Sequence, residues 1–345
     1  LELYFVKLVN YYHNKKLPII SVCQDDSPIS KIIKSPIFFV KKLGILNIFI
    51  NAYTISKKIR DKNINIIHVS WTKDLLLAVL IKLFSKENIS IIYYRQMKIT
   101  RNKKDIYHRF IYKNISRVLV ITKQLQSDCE RYLPIAPNKI IHLKYGIQIP
   151  NKVIKTKEGR KEIYNRFNLD DQLFTIGVFS RIEEQKGQHL VVEALNSINN
   201  KAIQLLIIGH CMDNKYMDEL NNMIDEFKLQ KQISITSFIE SPMELMPLLD
   251  LVILPTYEET FGLVVAESML MGTPVIGSNA GGVPEIIEDK INGLLFEPKN
   301  YKSLKEEIVR ISNSLELRKK LSDNAKIFAK ENYDYQTHFS NLDNI

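Results

Sequence analysis

Long apolar runs are missing from this 345-residue chain. Crossing a bilayer takes roughly 18 or more consecutive apolar residues, and no such stretch is present, so no membrane-spanning helix is expected. Nor is a secretory leader expected, since no basic start, apolar middle and small-residue cleavage site is read. Cysteine is scarce. Cys23, Cys129 and Cys211 stand apart without paired spacing, which excludes a disulfide framework and a cysteine zinc site and fits a reducing compartment. Each is expected to act as a small core hydrophobe. The seven histidines form no His-Glu-x-x-His or similar metal pattern. No short repeat and no low-complexity tract occurs.

What is present is ordinary in bulk and uneven in charge. Hydrophobic residues make up 45% and charged residues 25%, as in a globular protein. The length suits two α/β domains better than one core. Residues 1–150 hold 26 Lys and Arg against 9 Asp and Glu, a balance of +17. The remainder holds 22 against 29, a balance of −7, which leaves the net +10. A basic half of this size suggests a polyanionic partner: phospholipid head groups, nucleic acid or a phosphorylated acceptor. A Lys-biased composition is the competing explanation, but it predicts two basic halves. Lys41 and Lys42 amid Ile37, Phe38, Phe39, Val40 and Leu43 fit a peripheral membrane contact or a core helix. The chain starts without Met, inside an amphipathic pattern (Leu1, Leu3, Phe5, Leu8, Val9, Tyr12), and we expect a preceding segment.

Apolar runs alternate with helical patterns. In the first half, strands are expected at 17–22, 64–69, 89–94, 118–121 and 140–143. Helical spacing covers 38–60, 75–84 and about 104–113. After a polar linker beginning near Pro150, strands are expected at 174–179, 204–208, 233–235, 251–254, 273–276 and 293–296. Helical patterns separate them at 187–199, 213–228, 242–249, 262–271, 283–288 and 301–331. The series predicts two doubly wound parallel sheets with helices on both faces.

Three blocks in the second half carry chemistry. Ser180-Arg181-Ile182-Glu183-Glu184-Gln185-Lys186-Gly187 follows a strand, where ligands of open α/β sheets bind. Two cations five residues apart suit a diphosphate, although a basic loop is usually just solvated. Glu258-Glu259-Thr260-Phe261-Gly262-Leu263-Val264-Val265-Ala266-Glu267 follows the next such strand. Gly262 fits the mouth of a helix whose free amides favour a phosphate. Glu259 and Glu267 can grip hydroxyl pairs, or be two solvated glutamates on an ordinary amphipathic helix. Asn279-Ala280-Gly281-Gly282-Val283-Pro284-Glu285 supplies adjacent glycines for close backbone approach.

In this order and spacing the blocks resemble the C-terminal domain of family 4 retaining glycosyltransferases of the GT-B type. Asn292-Gly293-Leu294-Leu295 resembles that family's next strand. The likeness is strong over 174–298, moderate over 112–150 and weak before residue 60. It implies an α/β GT-B fold of two Rossmann-like domains, 1–150 and 151–331, with the donor site in the cleft between them. Residues 332–345 are expected to cross back onto the first domain. Arg181 and Lys186 would contact the donor diphosphate, Glu259 the transferred sugar and Glu267 the ribose. The backbone of Phe261, Gly262 and Leu263, with Gly209, Gly281 and Gly282, would line the donor. No cofactor or metal is expected, since cationic side chains take the metal's place, and no Asp-x-Asp pattern is present.

The sequence departs from the family pattern on the acceptor side. The opening strand and Gly-rich loop would precede Leu1. A histidine usual after the strand at 89–94 is replaced by Tyr94-Arg95-Gln96-Met97. His68, Arg95 and Gln96 are the acceptor-side candidates. The expected activity is transfer of a hexosyl sugar from a UDP- or GDP-sugar to a saccharide or lipid-linked acceptor, in cell-surface polysaccharide, lipopolysaccharide or glycolipid synthesis. The expected place is the cytoplasm, peripherally on the inner membrane face. The competing readings are a truncated or degenerate protein that binds donor without transfer, and an epimerase or phosphorylase on the same fold. Nucleic-acid binding is not expected, because no recognised module interleaves the basic residues with aromatics.

Overall fold

The computed structural model describes every residue except 1, 25–26, 41–43, 151–155 and 240. It is an α/β structure with parallel sheets, divided into two compact units, Leu1–Leu143 and Lys144–Ile345. The second unit thus starts before the boundary expected near residue 150.

The first unit runs α1 (Glu2–Asn14), β1 (Ser21–Gln24), β2 (Ile37–Val40), α2 (Ile45–Asp61), β3 (Ile66–Val69), α3 (Leu75–Ser85), β4 (Ser90–Arg95), α4 (Ile106–Lys113), β5 (Arg117–Val120), α5 (Lys123–Tyr132) and β6 (Ile140–His142). β1 and β2 form a parallel pair, and β3-β4-β5-β6 a parallel sheet. Two expectations are corrected here. The strand read at 17–22 begins at Ser21, since Pro18 has no amide to give a ladder. The helical spacing over 38–60 hides a strand: Ile37–Val40 pairs with β1, and the helix starts only after Gly44. A run of Ile, Phe, Phe and Val prefers the pleated surface. The membrane-contact candidates Lys41, Lys42 and Leu43 lie outside the described residues. The helix α5, absent from the sequence reading, buries only Leu125 and Cys129 and so gives little periodicity. Its start is set by Thr122, whose Oγ1 accepts the Leu125 amide at 3.2 Å.

The second unit contains α6 (Lys157–Arg166), β7 (Phe174–Phe179), α7 (Gln188–Ile198), β8 (Ile203–Ile208), α8 (Asn214–Glu226), β9 (Ile233–Thr236), α9 (Pro242–Leu245), β10 (Leu251–Leu254), α10 (Leu263–Met271), β11 (Val275–Ser278), β12 (Leu294–Phe296), α11 (Tyr301–Ser312), α12 (Leu315–Tyr333) and α13 (Tyr335–Asp343). Its sheet is parallel, in the order β12-β11-β10-β7-β8-β9. The inner strands β7, β8, β10 and β11 are buried on both faces, β8 and β10 throughout, which their unbroken apolar runs require, while the edge strand β9 is half-buried. The order reverses direction between β7 and β10. Crevices at such a point, outside the carboxyl ends of the strands, are where open sheets bind ligands.

Prolines and caps adjust the expected helices. Pro247 reduces 242–249 to α9 and a 3-10 turn, and 283–288 shrinks to the turn Val283–Glu285. The span 301–331 splits because Ser314 caps a new helix, accepting the Leu317 amide at 3.1 Å. The polar stretch after Pro150 contains α6, whose Tyr164 donates its buried hydroxyl to the Leu248 carbonyl at 2.7 Å. The end of the chain packs against Lys144–Ile147: the Ile147 amide donates to Tyr333 O at 2.9 Å, and His338 Nδ1 lies 2.6 Å from Lys144 O. Those four residues lie within the stretch 1–150 that the sequence reading gave to the first domain, and they open the second unit.

Cys23 and Cys129 are buried, Cys211 is half-buried, and all three are free. Among the described residues no helix is long and apolar enough to cross a membrane.

Candidate functional site

Two loops at the reversal point of the second sheet hold most of the candidate residues. The loop after β7 carries Arg181 and Lys186 into the start of α7. It is anchored by Gln188, fully buried, whose Nε2 donates to Ser180 Oγ at 2.9 Å and to the Arg181 carbonyl at 2.7 Å. Its far end is stitched to the next loop: the Tyr257 amide donates to the Gln185 carbonyl at 3.0 Å, and Thr256 Oγ1 to the same oxygen at 3.2 Å.

The loop after β10 brings Glu259 to Lys186. Lys186 Nζ lies 2.8 Å from Glu259 Oε2, with 17% and 27% of the two side chains exposed. Arg181 pairs instead with Glu183 at 2.9 Å and keeps 57% of its side chain exposed. The two cations therefore do not share one partner. Each rests on its own carboxylate.

The glycine loop closes over Glu259. Gly281 has φ +59°, and a Cβ there would run into the Glu259 carbonyl. The Gly282 amide donates to that carbonyl at 2.8 Å. Gly282 itself has φ −83°, so only the first glycine needs the left-handed region. Gly209, after β8, is packed so tightly that a Cβ would meet the Ser180 carbonyl. It holds the β7 loop in place from beneath.

Helix α10 starts at this point. Gly262, at φ +95°, is its N-cap and offers no side-chain acceptor. The amides of Leu263 and Val264 have no oxygen partner among the described residues. They form a donor pair at the positive end of a helix dipole, suited to a phosphate oxygen. Glu267 is half-buried on the same helix, about 7 Å along its axis from Gly262. The Phe261 ring is 5% exposed and packs between Tyr145 and Tyr333, at centroid distances of 5.1 and 5.5 Å. Its backbone, not its ring, remains to face a ligand.

Sequence reasoning did not single out Tyr145. Its hydroxyl is pushed well above the usual phenol range by burial, with the Glu259 charge adding to the effect. The only signal at the sequence level was its place beside Gly146 at the end of the β6 segment. A second feature not read from sequence is the bridge made by His189. Its Nδ1 lies 2.8 Å from Tyr216 OH and its Nε2 2.8 Å from Tyr257 OH. Burial holds the imidazole below the usual histidine range, against the opposing pull of Glu184.

The acceptor-side candidates lie in the first unit. Register pairs His68 with Ile92, and the His68 ring lies 6.2 Å from that of Tyr94. Arg95 is on the other face of β4 with Tyr93, as the two-residue period of a strand demands. Arg95 Nη1 donates to Tyr93 OH at 2.9 Å and Nη2 to the Lys98 carbonyl at 2.9 Å, with 4% of the residue exposed. His68 and Arg95 are thus not brought together. Gln96 is buried beside Arg95 at the strand end.

Among the described residues no group of three or more His, Cys, Asp and Glu is placed to hold a metal ion. A cavity of about 450 Å³ in the second unit is lined by Arg160, Leu248, Met271 and Lys326 among others, and by none of the candidate residues.

Residues 159–328 match the family described as glycosyl transferases group 1. An uncharacterized glycosyltransferase of Methanocaldococcus jannaschii, MJ1178, is 28% identical over 85% of this chain and 78% of its own. The alpha-D-kanosaminyltransferase of Streptomyces kanamyceticus is 26% identical over 63% of this chain, and the match spans only 56% of that enzyme. In fold, the chain is similar to Anabaena HepE in complex with UDP, with a TM-score of 0.87 and 18% identity over 99% of this chain and 94% of that one. Residues 159–328 are thus a group 1 glycosyl transferase domain, and the likeness extends to relatives that are glycosyltransferases.

Proposed function

We propose that this protein transfers a hexosyl residue from a UDP- or GDP-sugar to a saccharide or lipid-linked acceptor, with retention at the anomeric carbon. The observation that carries the reading is the Lys186–Glu259 pair, which stands beside the unpartnered amides at the mouth of α10. On donor binding the diphosphate takes Lys186 from Glu259 and draws on Arg181, while the amides of Leu263 and Val264 receive a phosphate oxygen. Glu259, released, accepts hydrogen bonds from the sugar hydroxyls. Glu267 accepts them from the ribose.

In the transfer step the bond from the anomeric carbon to the diphosphate oxygen breaks, and the acceptor hydroxyl oxygen bonds to that carbon on the same face. The hydroxyl proton passes to the departing diphosphate. Negative charge grows on the leaving group, so fixed cations and helix amides aimed at it lower the barrier. Cationic side chains do this in place of a metal. HepE, which shares the fold, has been crystallised with UDP-glucose as well as UDP, which supports a nucleotide-sugar donor here. The activity fits cell-surface polysaccharide, lipopolysaccharide or glycolipid synthesis. We place it in the cytoplasm, the basic first part of the chain resting on an anionic membrane face.

The test is a calorimetric titration with UDP and with GDP, on the wild type and on Lys186→Ala and Glu267→Ala. The reading expects one nucleotide to bind and both substitutions to weaken it. If neither nucleotide binds the wild type, the donor site assigned here is wrong.

A further inference from the structure

Helix α2 (Ile45–Asp61) has two apolar faces, and among the described residues only one of them is buried. Ile48, Ala52, Ile55 and Ile59 are buried and pack with Leu77, Leu80 and Ile81 of α3. On the opposite side Leu46, Phe49, Ile50 and Tyr53 are 81%, 48%, 63% and 53% exposed. Their spacing of three and four residues places them in one stripe. The same stripe continues toward the C-terminus of the helix as Lys57 and Arg60, both exposed. Lys57 Nζ lies 4.7 Å above the Tyr53 ring, which joins the apolar and basic parts.

Four large apolar side chains in contiguous exposure are more than a surface residue's ordinary share. A cation row flanking them selects the occupant. A second copy of this chain would bring the same positive face to the stripe. An anionic lipid surface offers hydrocarbon for the apolar part and phosphate for Lys57 and Arg60. The surrounding sequence agrees, since residues 1–150 carry +17.

We propose that the exposed face of α2 is a membrane-docking surface, with Leu46, Phe49, Ile50 and Tyr53 entering the headgroup–acyl boundary and Lys57 and Arg60 engaging anionic headgroups. The inference rests on the membrane placement proposed above and assigns it to one helix. It does not use the segment around Lys41 and Lys42.

The full chain is floated with phosphatidylcholine vesicles and with vesicles of phosphatidylcholine mixed with phosphatidylglycerol. The wild type is expected to float with the mixed vesicles alone, and less at high salt. Leu46→Glu/Ile50→Glu is expected to lower the partition at least about tenfold, since it sets charge where apolar area enters the interface. The fold tolerates it because both side chains are exposed, and an unchanged melting midpoint and nucleotide affinity check this. Equal flotation of the variant would overturn the role of α2 and leave the membrane placement standing. No flotation of the wild type overturns both. A wild-type dimer that the substitutions dissolve, with no flotation, assigns the stripe to a second copy instead. The nucleotide titration is independent of every one of these outcomes.

Discussion

Lys186 and Glu259, 73 residues apart, form an ion pair of 2.8 Å that ties the loop after β7 to the loop after β10. On the function proposed above, the carboxylate occupies the ammonium that a diphosphate would take. Glu259→Gln should therefore bind free nucleotide as well as the wild type, or up to about tenfold more tightly, while turnover falls about a hundredfold. Lys186→Ala should weaken nucleotide by about tenfold or more, because a charge-assisted contact is lost. Calorimetry and a transfer assay on both variants separate the two effects. Equal weakening in both would mean that Glu259 positions Lys186 and does not compete with the ligand.

Gly281 is the one glycine of its pair that substitution should not survive unharmed. Its φ of +59° and the Glu259 carbonyl against its missing side chain both oppose a Cβ. Gly281→Ala should cost about 1–3 kcal/mol and lower the melting midpoint by a few degrees. Gly282→Ala, at φ −83°, should cost clearly less. Thermal denaturation of the two variants side by side checks the difference, and equal losses would refute it.

The second sheet was legible because its strands are long apolar runs closed by loops of distinctive composition. Buried parallel strands demand such runs, and the Arg181 to Gly187 and Glu259 to Glu267 blocks follow directly from them. The first unit was harder. Apolar residues recur at helical spacing from Phe38 onward, so periodicity alone merged the strand Ile37–Val40 with the helix after it. Pairings between distant residues were not legible at all. Nothing local to Lys186 names Glu259 as its partner, nothing near His189 names Tyr216 and Tyr257, and nothing near Lys144 names His338. These depend on the order of strands in the sheet and on where the last helix returns.

His189 makes stability depend on pH in a stated direction. The His189 amide donates to the Tyr216 hydroxyl at 3.2 Å, and the two ring nitrogens lie 2.8 Å from the Tyr216 and Tyr257 hydroxyls. Burial of the ring disfavours its protonated form. Burial lowers the folded-state pKa, so the unfolded chain binds the proton first as pH falls. Stability is thus complete above the ordinary value of 6.5 and is lost as pH drops below it toward the folded-state pKa. His338 is lowered by burial too and adds to the same slope. Melting midpoints measured from neutral pH downward should decline, and less steeply in His189→Gln. An identical slope in that variant would clear His189 of the effect.

Arg95 gives the sharpest test on the acceptor side. Its guanidinium is buried on Tyr93 OH, Thr72 Oγ1 and the Lys98 carbonyl, none of them charged, and its Nε has no acceptor among the described residues. A buried cation held only by neutral acceptors stabilises little, because desolvation consumes what the hydrogen bonds return. Arg95→Met keeps most of the stem's packing and should stay within about 1 kcal/mol of the wild type. Arg95→Ala opens a cavity and should lose about 2–5 kcal/mol. Denaturant titration gives both numbers. If Arg95→Met is as unstable as Arg95→Ala, the charge itself is required by the fold. If it is stable and binds nucleotide normally but no longer transfers sugar, the charge serves the acceptor, as the sequence reading expects.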